Sequence, residues 1–560
     1  MKKSLLAGAL SAFMLSNSAQ AVIVDLDNNG LPDITPDTAV IYLSGASAAR
    51  KMVQELYTNA AIPSAEALCD TSRPTYIYKD NGNGKEQNAF YCEINPLNSN
   101  LSAQLSGSVS NLLIMKRSAG GSAQGVNPLL VNAPIEFLKV ANFNTLSTST
   151  VTPDSGTCLP QGTTIICNYQ DKVADPAGVN HADVTPDFGI SDVDPAMFRG
   201  INTPAGFGQA DPKSVASLLK IFGASAVVFN TPVTLTLRNA LQEADFPASS
   251  VCNPTNAAYN TLVFDKNGDG VLETSNAETE ACMPSLSKAQ IASVFTGQVT
   301  SWDSFKFGAT PLSQLVTVAA NKPANANVAI CRRVEGSGTQ AQFNANFLRN
   351  PCANGALSPV KAQTLPFTPL HVHENSSSGG VTDCLNAYNA GQDIVAADGV
   401  TKIFSIVRPF GQTDFRRWAI GIQSLEKNAN LADNFRYIKV DGIAPTLLNT
   451  VEGKYFDWAE NTFQYNKTHF AALTADEQAL INEAITQAGN PAVLVALNAT
   501  FLQSFGENAF AAVPTSHAPE PNGIFNPLRP VTPYTHAAQG LALDNCRVPV
   551  LHESFPMNQL

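Results

Sequence analysis

Basic residues are scarce in this chain: 34 Lys and Arg stand against 46 Asp and Glu in 560 residues, and the charged types together make up only 14%. A chain this acidic has no general attraction for nucleic acid or for an anionic membrane surface, so any anion site in it is a local exception. Histidine is scarcer still, with seven in all. No HExxH pair occurs, and "HVHE" (His371–Glu374) sets two imidazoles on one strand face, too little for a metalloenzyme. None of the ten cysteines has CxxC spacing, which argues against zinc and thioredoxin-like chemistry. Ser337, in "GSGT", lacks the GxSxG spacing of a nucleophile elbow. No stretch approaches the roughly 18 uninterrupted apolar residues of a membrane span. A hydrolase is therefore left without a metal cluster or an activated nucleophile.

The chain opens "MKKSLLAGALSAFMLSNSAQA", with Lys2 and Lys3, an apolar run from Leu5 to Leu15 and a small-residue Ala19-Gln20-Ala21 site. This is the pattern of a secretory signal peptide cleaved after Ala21, with no lipid-anchor cysteine after it. The expected location is periplasmic or secreted, without a membrane anchor. Without the two leader lysines the balance becomes 32 basic against 46 acidic residues, a net of −14. All ten cysteines lie beyond the leader, and an even number in an oxidising compartment suggests disulfides. Sequence neighbours propose the pairs Cys69–Cys92, Cys158–Cys167, Cys252–Cys282 and Cys331–Cys352, leaving Cys384 with Cys546.

Apolar periodicity alternates strands with helices. Val40–Leu43 reads as a strand, followed by a helix with Ala49, Met52, Val53 and Leu56 on one face. Ala224–Asn230 and Asn327–Arg333 read as strands, and Leu286–Gly297 and Ser337–Leu348 as helices. Such alternation predicts an α/β architecture of parallel sheets covered on both faces. Cys69–Cys92, Ser147–Asp183 and Pro247–Cys282 are rich in Gly, Pro, Asn, Asp and Ser, and read as surface insertions stapled to themselves. The segment Pro514–Pro533 is proline-rich and reads as extended chain tethered by Cys546.

The run "CRRVEGSGTQAQF" (Cys331–Phe343) concentrates the candidate chemistry. Ser337, Gly338 and Thr339 at a helix start offer amides, hydroxyls and the positive end of the helix dipole to an oxyanion. Arg333 adds a bidentate fork. Glu335 would repel a bare anion and favours one that keeps a proton to donate, such as hydrogen phosphate. Read alone, the run is equally an ordinary capped helix start. "DFGISDVDP" (Asp187–Pro195) places Asp192 in a loop at the carboxyl end of a strand, where open α/β sheets put ligands. Asp192 there is either a proton acceptor or a solvated turn residue.

"SGASAAR" (Ser44–Arg50), "DFGISD", "IASVFTGQVTSWDSF" (Ile291–Phe305), "RVEGSGT", "SSSGGVTDCL" (Ser376–Leu385), "WAIGI" (Trp418–Ile422) and "YIKVDGIAPT" (Tyr437–Thr446) together resemble the periplasmic phosphate-binding proteins of ABC transporters, in motif order, from about Val40 to about Trp458. The resemblance implies a two-lobed periplasmic binding protein fold of type 2, with two crossover strands and phosphate in the cleft between the lobes. It implies a first lobe from 22 to about 225, a second from 226 to about 445, and a return to the first lobe plus an extension over 446–560. Phosphate contacts fall on Arg333, Ser337, Gly338 and Thr339, and the proton acceptor on Asp192. Glu335 stands where the family usually has aspartate. The family's first-loop threonine is Ala49 here, with Ser47 as a substitute hydroxyl, and Arg50 replaces an aromatic residue. "RSAGGSAQG" (Arg117–Gly125) is the looser counterpart of another loop, with Ser118 its hydroxyl. The implied function is capture of phosphate or a related protonated oxyanion for uptake with an ABC permease, with no enzymatic step and no required cofactor.

Two loops raise structural calcium separately. "DLDNNGLPD" sets Asp25, Asp27, Asn29 and Asp33 at calcium-loop spacing, and "DKNGDGVLE" does the same with Asp265, Asn267, Asp269 and Glu273. Both lack the position-12 Glu, and plain Asx-Gly turns are the alternative. "KDNGNGKE" (Lys79–Glu86) is a weaker version. Stapled insertions and calcium loops also fit an extracellular structural or adhesive protein that keeps the fold without transport.

Overall fold

The computed structural model describes residues 31–80, 86–140, 145–146, 157–169, 181–365, 368–395, 400, 402–409, 411–412, 415–520, 524–538 and 541–553. The expected leader, Met1–Ala21, and three members of the first acidic loop, Asp25, Asp27 and Asn29, lie outside the described residues.

Two large hydrophobic cores organise the chain, each built on its own sheet. Strand β1 (Thr38–Gly45) alternates buried and half-buried residues and then runs fully buried towards its carboxyl end. Helix α1 (Arg50–Thr58) buries Met52, Val53, Leu56 and Tyr57, the spacing of one helical face. Strands β2 (Thr75–Asp80), β3 (Gln87–Glu93) and β4 (Asn111–Arg117) form an antiparallel meander. β4 and β5 (Phe188–Ser191) flank β1, both parallel to it.

The long strand β6 (Leu219–Asn230) carries the chain out of this lobe. Its Val227 and Phe229 belong to the first core, and Ala226 and Val228 to the second, because alternate residues face opposite sides. The second lobe is a 5-stranded sheet that starts with β7 (Val233–Thr234). It continues with β8 (Ala329–Arg333), α2 (Gly338–Leu348), β9 (His371–Asn375), α3 (Ser378–Ala390), β10 (Ala419–Gly421) and β11 (Phe435–Arg436). The strand order is β9-β8-β10-β7-β11, with β8 between β9 and β10 and parallel to both. Strand β12 (Trp458–Asn466) brings the chain back and pairs antiparallel with β5 and β6. Helix α4 (Ala475–Ala488) then packs on β1, α1 and β6. The chain rejoins the first sheet at Trp458, which pairs with Val228 of β6.

The fold is α/β, but the larger, 12-stranded sheet is mixed where strand–helix alternation predicts parallel pairing. The reason is local: the β2–β3–β4 meander needs no helical crossover, and β12 enters between β5 and β6 in the opposite direction.

Five disulfides close the described chain. Cys69–Cys92, Cys158–Cys167 and Cys252–Cys282 pair as sequence neighbours. The other two correct the expectation: Cys331 pairs with Cys384, and Cys352 with Cys546. Cys331 lies in β8 and Cys384 in α3, which packs directly on that strand inside the second core, so tertiary packing overrides sequence proximity. Cys352 packs instead against the first core, where it meets Cys546 of the C-terminal segment. Within that segment, residues 530–532 run beside Ala512, whose N–H donates to Pro530 O at 2.7 Å. Among the described residues no helix is long and apolar enough to cross a membrane.

Candidate functional site

Three helix starts converge where the lobes touch: α1 at Arg50, α2 at Gly338 and α3 at Ser378. Ser337 caps α2, its hydroxyl accepting from Gln340 N at 3.3 Å, so the capped-helix and anion-loop readings of this run are compatible. Ser47 Oγ lies 3.4 Å from Ser378 Oγ across the gap. The Ala123 amide donates to Gly336 O at 2.8 Å, which brings the loop after β4 onto the α2 loop. A Cβ on Gly338 would stand 2.4 Å from Ser122 Oγ and 2.8 Å from Asp192 Cβ, so only glycine permits this approach.

Two cationic side chains are buried here. Arg333, at the carboxyl end of β8, is 1% exposed. Its Nε donates to Asn375 O at 3.1 Å, Nη1 to Ser378 Oγ at 3.2 Å and Nη2 to Ser376 O at 2.8 Å. Lys116, near the end of β4, is also 1% exposed, and its Nζ donates to Gly45 O at 2.6 Å and Arg117 O at 3.0 Å. No carboxylate lies within ion-pair distance of either, among the described residues. Burial pulls Arg333 down to about 10 against the pull of Glu86 and Asp192, so it stays charged at neutral pH. Burial pulls Lys116 to about 7, opposed mainly by Asp192 and Glu86.

Asp192 faces these cations and is 1% exposed. Its Oδ2 accepts from Thr339 Oγ1 at 3.2 Å, and its amide donates to Ser122 Oγ at 3.1 Å. Burial pushes its carboxyl up to about 6, with Arg333 pulling the other way. Asp192 Oδ1, Ser118 Oγ and Glu86 Oε2 are all buried without a hydrogen-bond partner. Buried polar atoms are rarely left unpartnered, and these three leave open hydrogen-bonding capacity within one cleft.

Of the sequence candidates, the fold brings Ser47, Ser118, Asp192, Arg333, Ser337, Gly338 and Thr339 to this cleft. Arg50 is half-buried as the first residue of α1, and its charge reaches Lys116. Glu335 does not join them. It is exposed, and its charge acts on Arg332, which forms an ion pair with Glu374. Lys116, Glu86, Ser122 and Ser378 are the residues sequence reasoning missed. A lysine inside the apolar run "NLLIMKR" was the signal for Lys116, because a buried lysine is rarely idle.

The second acidic loop is exposed and tied to its own backbone: Asp265 accepts from Gly268 N and Gly270 N at 2.7 Å each, and Asp269 from Val271 N at 2.8 Å. Among the described residues no group of three or more His, Cys, Asp and Glu is arranged to hold a metal ion. His371 and His373 are structural: both meet the Tyr388 hydroxyl, at 3.3 and 2.7 Å. Burial holds them down at about 3 and about 4.

No protein-family profile and no curated protein sequence matches the chain. Solved structures are similar in outline. A putative phosphate ABC transporter substrate-binding protein with bound phosphate from Clostridium perfringens is 12% identical, over 80% of this chain and 92% of that one, with a TM-score of 0.33. PstS from Borrelia burgdorferi is 8% identical, over 79% and 96%, with a TM-score of 0.27. An ABC-type phosphate transport receptor from Vibrio cholerae is 10% identical, over 53% and 79%, with a TM-score of 0.24.

Proposed function

We propose that the cleft captures a protonated tetrahedral oxyanion, with phosphate the first choice, and that the chain is an exported binding protein that hands this ligand to an ABC permease. The observation that carries the reading is the buried set of Arg333 and Lys116, neither ion-paired among the described residues, facing unpartnered Asp192 Oδ1 and Ser118 Oγ at three converging helix starts. Cations, hydroxyls and helix amides suit the anionic oxygens. A carboxylate in the same cleft suits an anion that keeps a proton to donate, so hydrogen phosphate fits and fully ionised sulfate does not.

Binding, in this reading, is hinge closure. The lobes are joined by the strands β6 and β12, and ligand oxygens would bridge groups from both sides. Ser47, Ser118 and Asp192 act from the first lobe, and Arg333, Gly338 and Thr339 from the second. No bond is made or broken. The five disulfides fit an oxidising compartment, which supports the periplasmic or secreted location.

Calorimetric titration of phosphate-free protein tests the reading. Phosphate should bind the natural protein, Arg333→Ala should abolish binding, and Glu335→Gln should change the affinity by no more than about twofold, because an exposed group is screened by solvent. Absence of heat and of any thermal shift in millimolar phosphate would remove the transport reading and favour a purely structural role.

A further inference from the structure

Glu86 is the charged group in the cleft that the oxyanion reading leaves unused. It belongs to "KDNGNGKE", between β2 and β3, and it is 7% exposed. Its Oε1 lies 2.8 Å from the point a Cβ on Gly379 would occupy, so the carboxylate is seated against the first turn of α3. Its Oε2 is buried without a hydrogen-bond partner. The backbone that places it there has φ +44°, a left-handed conformation that a non-glycine residue adopts at a cost. Glu86 O accepts from Ser118 N at 3.1 Å, which ties it to the loop bearing the unpartnered Ser118 hydroxyl.

The charged groups around Glu86 come from four elements. Its charge acts on Arg333 of β8, Lys116 of β4, Asp383 of α3 and Lys427 of the loop after β10. Asp192 and Arg50 complete the ring through Lys116. Arg333 and Lys116 are thus balanced by Asp192 and Glu86 before any ligand arrives. A phosphate dianion entering a balanced cleft would meet two carboxylates with one proton to offer. One of them would be left facing a bare oxygen in a site from which water is excluded, a costly arrangement.

We propose that Glu86 is a second proton-sharing acceptor of the cleft, so that the bound oxyanion is held with two protons, one shared with Asp192 and one with Glu86. This rests on the oxyanion reading and narrows it to the dihydrogen form of a phosphate-like ligand. Above neutral pH, where free phosphate carries a single proton, binding must draw one further proton from solvent. Affinity then weakens with rising pH as that proton becomes scarcer.

The test is titration of inorganic phosphate at about pH 8.5 in two buffers of different ionisation enthalpy, which reads protons taken up per phosphate bound. Lys116, pulled to about 7, is largely neutral at this pH and takes up a proton of its own beside the bound anion. The natural protein should therefore take up about two protons and Glu86→Gln about one, with affinity at that pH at least about tenfold tighter than the natural protein's. Gly379→Ala, whose new methyl group displaces the carboxylate without changing charge, should also reduce the uptake. Natural-protein uptake near zero, or uptake unchanged in both variants, overturns the proposal. Failure of phosphate to bind the natural protein at any pH, with Arg333→Ala indistinguishable from it, defeats the oxyanion reading itself and not this refinement.

Discussion

At the residue scale, the strand geometry of β8 decides which arginine can act. Adjacent strand residues point to opposite faces, so Arg332 goes to Glu374 and the Glu335 side while Arg333 turns into the cleft. The same reasoning separates Asp192 from Asp194, two residues on. Asp192 meets Thr339 of the second lobe, whereas Asp194 caps the short turn Pro195–Met197, its Oδ1 accepting from Ala196 N at 3.1 Å. Asp194 also lines a cavity of about 450 Å³ under the C-terminal segment. Burial pushes its carboxyl up to about 7, with the charge of Asp544 adding to the rise. An acid with a raised value holds its proton in the folded chain after the unfolded chain has released it, so its contribution to stability falls as pH rises from about 4 to about 7. Asp194→Asn removes that loss. The melting temperature of this variant relative to the natural protein should therefore rise between pH 5 and about 7 and stay level above, which thermal melts across pH measure. A difference independent of pH would mean that Asp194 is ionised throughout.

At the element scale, the C-terminal segment is held by two different attachments. Cys546 is bonded to Cys352, at a sequence separation of 194 residues. Nearby, Glu460 of β12 accepts from His536 N at 2.8 Å and pairs with His536 Nδ1 at 2.7 Å. A disulfide restricts the unfolded chain more when it closes a longer loop. Replacing both Cys352 and Cys546 by Ser should cost about 2–5 kcal/mol, more than the double replacement of Cys158 and Cys167, whose separation is 9. Denaturant unfolding of the two variants checks the order, and equal losses would show that native contacts alone hold the segment. This attachment was invisible in the sequence, because pairing by proximity assigned Cys352 to Cys331 and left Cys546 to Cys384. What periodicity did reveal were local features: α1 from Met52, Val53 and Leu56, and β8 and α2 from the apolar run and its Ser337 cap. Seven cleft residues were legible because they sit in short motifs at element ends. Lys116 and Glu86 were not, since one lies within an apolar strand and the other ends an Asx-Gly stretch of sequence whose pattern points to calcium. Only the register of β3 against β4 brings the two together, pairing Asn88 with Lys116 and Gln87 with Arg117.

At the scale of the whole molecule, charge and site oppose each other. The chain carries 12 more acidic than basic residues, yet the proposed ligand is an anion. The cations of the cleft are almost completely buried, so an approaching phosphate feels the acidic surface before it reaches Arg333 and Lys116. Long-range repulsion between exposed charge and ligand is screened over about 30 Å at 0.01 M salt and about 8 Å at 0.15 M, while interactions inside a closed cleft are screened much less. The association rate of phosphate should therefore rise with added chloride salt over that range, by several-fold, while the dissociation rate changes little. Stopped-flow fluorescence of the three tryptophans can follow this, since Trp458 stands at the start of β12, where the chain passes between the lobes. A rate that falls with salt would mean that the cleft cations project their field into solvent, as an open site would. A rise places selectivity inside the closed cleft, where short hydrogen bonds and shared protons discriminate between oxyanions and net charge does not.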